Sequence, residues 1–561
     1  MKTHRIIPTV LRPAAFARDE AGAMSIFSVM VFVLMLMTAG IAIDTLRHEE
    51  ERAELQGALD RGVLAASSLI QTEDPETVVL TYVEAAGFSR DDVEIEVHEE
   101  GPSDDLTLRR VTARTTREVD TLFLPLLGID DLSVPGRAKA EDEKRKVEIA
   151  LVLDVSGSMG DNNRIENLRE AADKFVDIMS DNESIELTMS IVPYHSMVNL
   201  GDTLDGPIRL DDSHDRSSCA RFGNQPSIYA MTGLPGPSDP AVGIARHAIE
   251  RVAHFDMWST NSETPGVLPN PECDVDDARA ILPWTNDAAA LKARIASLYP
   301  DGWTAIHLGL KWGAVMLDPW SQDVVDHLID ANVVSDDHEG RPYDYGTDGT
   351  EKFLLLMTDG SNNIEVDMRA DWKGNVGSNA YVHHDTWPGI GYTSAIDGGD
   401  DYGDAGSPQY SFYFQYRADR GWNPYWDVQA KVWRSQPVGG ALARELTYEQ
   451  LYARFGAGYI ATEMLTGGSY QPWWSQRRPY YYPEEGLDAS TTNNFYSGIC
   501  SAMKNAGVTI YTVGFEAPTA TAGILEGCAS STSHYYTAVG KELTDRFANI
   551  ALSITRLGLR Q

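Results

Sequence analysis

Residues 21–43, AGAMSIFSVMVFVLMLMTAGIAI, contain no charged side chain. In a bilayer core the backbone has no water to bond, so a lone segment of this kind can cross only as a helix. As a helix it spans about 34 Å, enough for the hydrocarbon core. Lys2, Arg5, Arg12 and Arg18 precede it. An excess of Lys and Arg marks the cytoplasmic flank. The expectation is a single-pass anchor with residues 1–20 in the cytoplasm and the bulk of the chain outside it. A cleaved signal peptide is the alternative. Against it, the run is longer than a usual h-region and no A-x-A site follows. No second apolar run is long enough to span.

The 561 residues are too many for one ordinary core, so two or more domains are expected. A formal net charge of −37 leaves no basic surface to displace counterions, which argues against nucleic acid as a partner. It also disfavours anionic headgroups, except beside the basic N-terminus. Cys219, Cys273, Cys500 and Cys528 form no C-x-x-C pair, so a zinc ribbon is not indicated. In an exported chain, four cysteines suit two disulfides, with three connectivities open. Cys219–Cys273 and Cys500–Cys528 are the expected pairs, because each shares one local segment.

After the apolar run, Leu55, Leu59, Val63, Ala66 and Ile70 fall on one helical face, which predicts a stalk helix over 44–70. Residues 71–142 read as a small α+β unit. DPETVVLTYVEAAGF has a helix start and a glycine stop, and DVEIEVHE alternates like a half-buried strand. From 146 to 561 the pattern changes. VEIALVLDV and KFLLLMTDG are almost continuously apolar, as strands covered on both faces are. Together with IELTMSIVPY and VTIYTVGF they alternate with helical patterns at 164–180, 238–255, 286–298 and 304–317. That alternation predicts an α/β fold with a doubly wound, mainly parallel sheet. Two insertions interrupt it, at about 200–285 and 364–490. The second carries WNPYWDVQ and YQPWWSQRRPYYYP, suited either to a binding surface or to packing the insertion on the domain.

The chemistry centres on LVLDVSGSMG, residues 151–160. A nucleophile elbow needs G-x-S-x-G, and neither Ser156 nor Ser158 stands in that frame. His307 and His534 have no recognisable triad setting, so no enzyme activity is expected. A metal site explains more. In open α/β sheets ligands bind where loops leave the carboxyl ends of strands. Asp154 ends one apolar run and Asp359, in LLLMTDG, ends another. Ser156 and Ser158 lie in the loop between strand and helix, and Thr304 opens the helix TAIHLGLKWGAVML. Two carboxylates and three hydroxyls form an all-oxygen set that suits Mg²⁺, with Mn²⁺ or Ca²⁺ as alternatives. The competing reading is that Asp154 caps the loop and the serines form local turn bonds. The acidic stretch DGGDDYGDAG lacks EF-hand spacing, and HHDTW is a weak metal candidate.

DVSGSMG resembles the D-x-S-x-S metal-ion-dependent adhesion site (MIDAS) of von Willebrand factor A (VWA) domains, with Thr304 and Asp359 matching the later elements of that motif. The resemblance implies a binding module. Ser156, Ser158 and Thr304 would reach the ion directly, and Asp154 and Asp359 directly or through water. One coordination position stays open for an acidic residue of a protein partner. A second resemblance covers the N-terminal part. Residues 16–67, with Asp44, Leu55, Gln56, Ala58 and Asp60, look like TadG-like proteins of tight-adherence (Flp) pilus systems. It implies a bacterial inner-membrane protein acting in pilus assembly or envelope anchoring, with pilus or envelope components as partners. Phe27 stands five residues after Gly22, where pilin-like relatives cut by prepilin peptidase carry Glu, so that cleavage is not expected. The alternative function is a surface adhesin or envelope sensor that binds an outside ligand through the aromatic insertions.

Overall fold

The computed structural model describes residues 21–102, 106–211, 213–236, 249–257, 259–260, 268–363, 365–373, 375–383, 408–465, 480 and 484–556. It divides into two units, Met1–Lys144 and Arg145–Gln561.

In the first unit one helix runs from Ala21 to Ser67 without a break. Its first part is apolar and exposed, from Met24 to Leu36. Further on, Leu55, Leu59, Val63 and Ala66 turn one face into a small core with Val79, Val83, Val111 and Val134. Ile70 does not join that face. The helix has ended at Ser67, and Ile70 lies exposed in the turn beyond it. Asp74 caps the next helix, Pro75–Ala85, by accepting the Thr77 N–H, with Pro75 at its start. Three antiparallel strands follow, in the order Val93–Glu100, Leu108–Asp120, Asp131–Glu143.

The second unit is built on a six-stranded sheet. Its order is Tyr535–Ala538, Thr509–Phe515, Thr350–Thr358, Arg145–Asp154, Ile185–Tyr194, Leu282–Thr285. The first five strands are parallel and the last is an antiparallel edge. The strand Arg145–Asp154 is buried over its last eight residues, as its unbroken apolar pattern requires. Helices lie against both faces. On one, Ile165, Leu168, Ala172, Phe175 and Met179 of the helix Arg164–Ser180 pack against Ile149, Leu151, Leu153 and the C-terminal helix Glu542–Arg556. Full burial of each larger side chain is worth about 1.5–3 kcal/mol. On the other face lies the helix Ile306–Leu317, buried at every residue. It sits close because its sheet-facing positions are glycines: a Cβ on Gly313 would overlap Val152, and one on Gly309 would overlap Tyr194. Lys311 of this buried helix donates to the carbonyls of Met231 and Gly233, at 2.7 and 2.6 Å, and so ties down the first insertion.

The helix expected over 238–255 is not formed where it is described. Residues 238–248 lie outside the described set, and Glu250–Arg251 pair as a short strand with Ala220–Arg221. Its backbone bonds go to partners far from it in sequence: Arg251 N–H to Asp211, Val252 N–H to Cys219 O, and Ala253 N–H to Asp367 of the second insertion. Both expected disulfides are present, Cys219–Cys273 and Cys500–Cys528. The second insertion holds its own five-stranded antiparallel sheet, ordered Val432–Arg434, Tyr425–Asp427, Gln409–Tyr413, Gly377–His383, Arg444–Thr447. Trp372, Tyr410, Phe412, Trp426, Tyr452 and Phe455 are buried in its core, with Trp372 stacked on Tyr448. These rings pack the insertion; Trp422 remains exposed. DGGDDYGDAG, most of HHDTW and most of YQPWWSQRRPYYYP lie outside the described residues.

Candidate metal centre

Three connections meet at the carboxyl edge of the parallel strands. Asp154 is the last residue of its strand, and the loop after it turns back through Ser156 and a short 3₁₀ turn, Gly157–Gly160. This loop is pinned to the turn before the Ile306–Leu317 helix: Gly157 N–H donates to Gly302 O at 2.9 Å, and Asp301 N–H to Val155 O at 2.9 Å. That turn carries Thr304. Its carbonyl accepts the Asn363 N–H at 2.6 Å, which draws in the loop after Thr350–Thr358 and with it Asp359.

The side chains converge accordingly. Asp154 is fully buried; one of its oxygens accepts the Ser156 N–H at 2.8 Å and the other the Thr358 hydroxyl at 2.6 Å. Ser156 Oγ and Ser158 Oγ stand 3.2 Å apart, and Ser158 Oγ donates to Asp359 Oδ1 at 2.7 Å. Thr304 is buried too, and its Oγ1 would be 3.0 Å from a Cβ on Gly360, next to Asp359. All five expected residues are therefore gathered within one loop cluster. Four of them interact directly, while Thr304 approaches through Gly360.

The cluster carries an electrostatic strain that a cation would relieve. Burial, reinforced by the charge of Asp359, pushes the Asp154 carboxyl up to about 7. Burial also raises Asp359, against the opposing pull of Ser158 and Arg164. Two buried carboxylates with hydroxyl neighbours make a hard-oxygen donor set, which fits a divalent cation. Among the described residues no group of three or more His, Cys, Asp or Glu side chains is placed to hold a metal ion, so this set of two carboxylates depends on its hydroxyl oxygens.

Sequence reasoning did not find three members of this site. Arg164 Nη1 donates to Asp359 Oδ2 at 2.8 Å, and its Nε to Glu516 at 2.9 Å. Asn162 and Asn163 adopt positive φ and turn the chain so that Arg164 reaches back over the loop. Thr358 completes the set by holding Asp154. Only Thr358 had a local signal, its place beside Asp359; Arg164 and Glu516 meet across 352 residues. His307 bonds Asn362 and Glu365, at 3.2 and 3.3 Å, and braces the loop after Asp359.

Residues 22–68 match the family model described as putative Flp pilus-assembly TadE/G-like. The N-terminal resemblance read from the sequence is thus found again in a family model. No curated protein matches the chain. Among solved structures, the von Willebrand factor domain of the type V pili tip protein Mfa5 from Porphyromonas gingivalis is similar at 16% identity and TM-score 0.29, over 74% of this chain and 97% of that one. The pilus adhesin SpaC from Lactobacillus rhamnosus GG gives 12% and 0.30, over 83% of this chain and 34% of that one. Proximal thread matrix protein 1 from the mussel byssus, with a zinc-occupied MIDAS motif, gives 12% and 0.24, over 74% and 46%. The chain spans about a third of that adhesin and about half of the byssus protein. At these scores the fold rests on its own sheet order and site, not on the likenesses.

Proposed function

We propose that this chain, whose residues 22–68 match the TadE/G-like pilus-assembly model, is a membrane-anchored, extracytoplasmic binding protein of a Flp-type pilus system. In this reading 146–561 is a doubly wound VWA domain with a MIDAS built from Asp154, Ser156, Ser158, Thr304 and Asp359. Held in the bacterial inner membrane, it works in pilus assembly or in anchoring the pilus to the envelope, through metal-dependent contact with pilus or envelope proteins. Residues 21–43 form the anchor, 44–70 the stalk, 71–142 the small α+β domain, and 146–561 the binding domain.

The observation that carries this reading is the convergence of two buried carboxylates and the serine hydroxyls, from strands 200 residues apart in sequence, at one sheet edge. When bound there, Mg²⁺ would supply a positive centre with an open position for a partner's carboxylate. The chain's own residues do the rest. Asp154 and Asp359 would balance the ion's two positive charges, and Ser156, Ser158 and Thr304 offer neutral oxygens, so a partner's carboxylate would be held by the open coordination position and not by a net positive charge. Thr358 orients Asp154, and Arg164 orients Asp359. The described aromatic residues of the second insertion are mostly spent on its core, so they add little to an adhesin reading.

The test is retention of pilus and envelope proteins on the immobilised full-length chain, in Mg²⁺ and in chelator. Retention is expected to require the ion and to disappear in Asp359→Ala. Equal capture in chelator would overturn the mechanism.

A further inference from the structure

The loop TLFLPLLGID, residues 121–130, joins the strands Leu108–Asp120 and Asp131–Glu143. It leaves Leu122, Leu126, Leu127 and Ile129 exposed at 63, 73, 50 and 42%, and Phe123 at 39%. Contiguous large apolar side chains on a surface mark a contact with something else. The loop's seat says what. Asp44, the first charged residue after the 21–43 run, is buried, and its carboxylate accepts the backbone N–H groups of Leu122, Phe123 and Leu124 at 3.0, 2.8 and 2.8 Å. One turn earlier, Phe123 packs so closely on Gly40 that a Cβ there would lie 2.6 Å from it.

The register of the hairpin agrees. His48 meets Ser133 O, Gln56 meets Arg137, and Asp142 accepts the Leu69 N–H, at 3.0, 2.8 and 2.9 Å. The strand Asp131–Glu143 therefore runs beside the helix from the end of the apolar run outward. The 24 residues from Asp44 to Ser67 rise about 36 Å as a helix, and a 13-residue strand covers about 43 Å. The hairpin tip is level with the helix's exit from its uncharged segment.

We propose that the 121–130 loop is a second membrane contact, an apolar wedge that enters the headgroup–acyl boundary of the leaflet from which the helix emerges. This rests on reading 21–43 as membrane-spanning. The occupant is the lipid bilayer, because the patch is continuous with the helix surface that the bilayer covers. Asp120, Asp130 and Asp131 flank the tip, so the contact is made by apolar insertion and not by attraction to anionic headgroups. With two points of attachment the stalk leaves the membrane at a fixed tilt and rotation, which sets the direction in which this unit points.

The four native cysteines are all in disulfides, so single cysteines can be labelled. The full-length chain is placed in phosphatidylcholine nanodiscs with an environment-sensitive fluorophore at Leu34→Cys, Leu126→Cys or Leu64→Cys, and with nitroxide lipids spin-labelled either shallow or deep. The deep nitroxide is expected to quench position 34, the shallow one position 126, and neither position 64, about 30 Å beyond Asp44 along the helix. Quenching at 34 without quenching at 126 overturns the wedge while the anchor stands, and leaves the loop to a protein partner or a second copy. No quenching at either position overturns the anchor and the wedge together. Adding Leu127→Asp, on an exposed side chain, or Asp44→Ala, which unseats the loop, should abolish quenching at 126 and preserve it at 34. Persistence at 126 in both variants would also refute the proposal.

Discussion

Asp154→Asn separates a metal ligand from a turn-forming residue. The amide keeps the acceptor for the Ser156 N–H, and its NH₂ can donate to the Thr358 hydroxyl, which now faces it as acceptor. What disappears is a buried negative charge beside Asp359. In the folded protein that carboxyl is raised from 3.8 to about 7. About three pKa units, at about 1.4 kcal/mol each, give roughly 4 kcal/mol as an upper bound, since Asp359 shares the titration. The folded value lies above the unfolded one, so this contribution to stability is complete below pH 3.8 and is lost as pH rises through about 7. Without divalent ions, the wild-type chain should therefore lose up to ~4 kcal/mol between about pH 4 and 8, and Asp154→Asn should lose much less. At pH 8 in chelator the variant should be the more stable of the two. Mg²⁺ should then raise the wild type and leave the variant unmoved. Thermal unfolding in detergent micelles, followed by near-ultraviolet circular dichroism at pH 5 and 8, reads all four conditions. A variant destabilised by about 1–2 kcal/mol at both pH values, with no wild-type response to Mg²⁺, would show that Asp154 only shapes the loop.

Arg164→Gln removes a guanidinium that already neutralises Asp359, so divalent-ion affinity should tighten by roughly tenfold, or ~1.4 kcal/mol; calorimetric titration showing weaker binding would contradict this. The Cys219–Cys273 and Cys500–Cys528 bridges close separations of 54 and 28 residues. Removing either should cost about 3.5–4 kcal/mol in the chain-entropy model, seen as a lower Tm on reduction, and an unchanged Tm would exclude it.

Much of the α/β unit was legible because its strands are covered on both faces and read as unbroken apolar runs. Asp154 and Asp359 were visible as the polar residues ending two such runs. The helix Arg164–Ser180 matched its pattern residue for residue, since its apolar positions recur at helical spacing. The helical pattern around Glu250 misleads because its backbone is set by partners far away in sequence: Ala220–Arg221, Asp211 and Cys219, with Asp367 beyond them at Ala253. Arg164 and Glu516 were invisible for a similar reason: their pairing depends on an asparagine turn and on two loops that only the sheet order brings together. In the sequence Asp44 shows only as part of a stalk pattern; its task, holding three N–H groups of a hairpin tip some 80 residues away, needs the fold.

Mn²⁺ binding to the full-length chain in nanodiscs, counted by electron paramagnetic resonance, decides whether these oxygens hold an ion. A site built on Asp154, Ser156, Ser158, Thr304 and Asp359 predicts one saturable ion per chain, displaced by Mg²⁺ and lost in both Asp359→Ala and Ser156→Ala. No saturable binding, or binding that survives both substitutions, would contradict it.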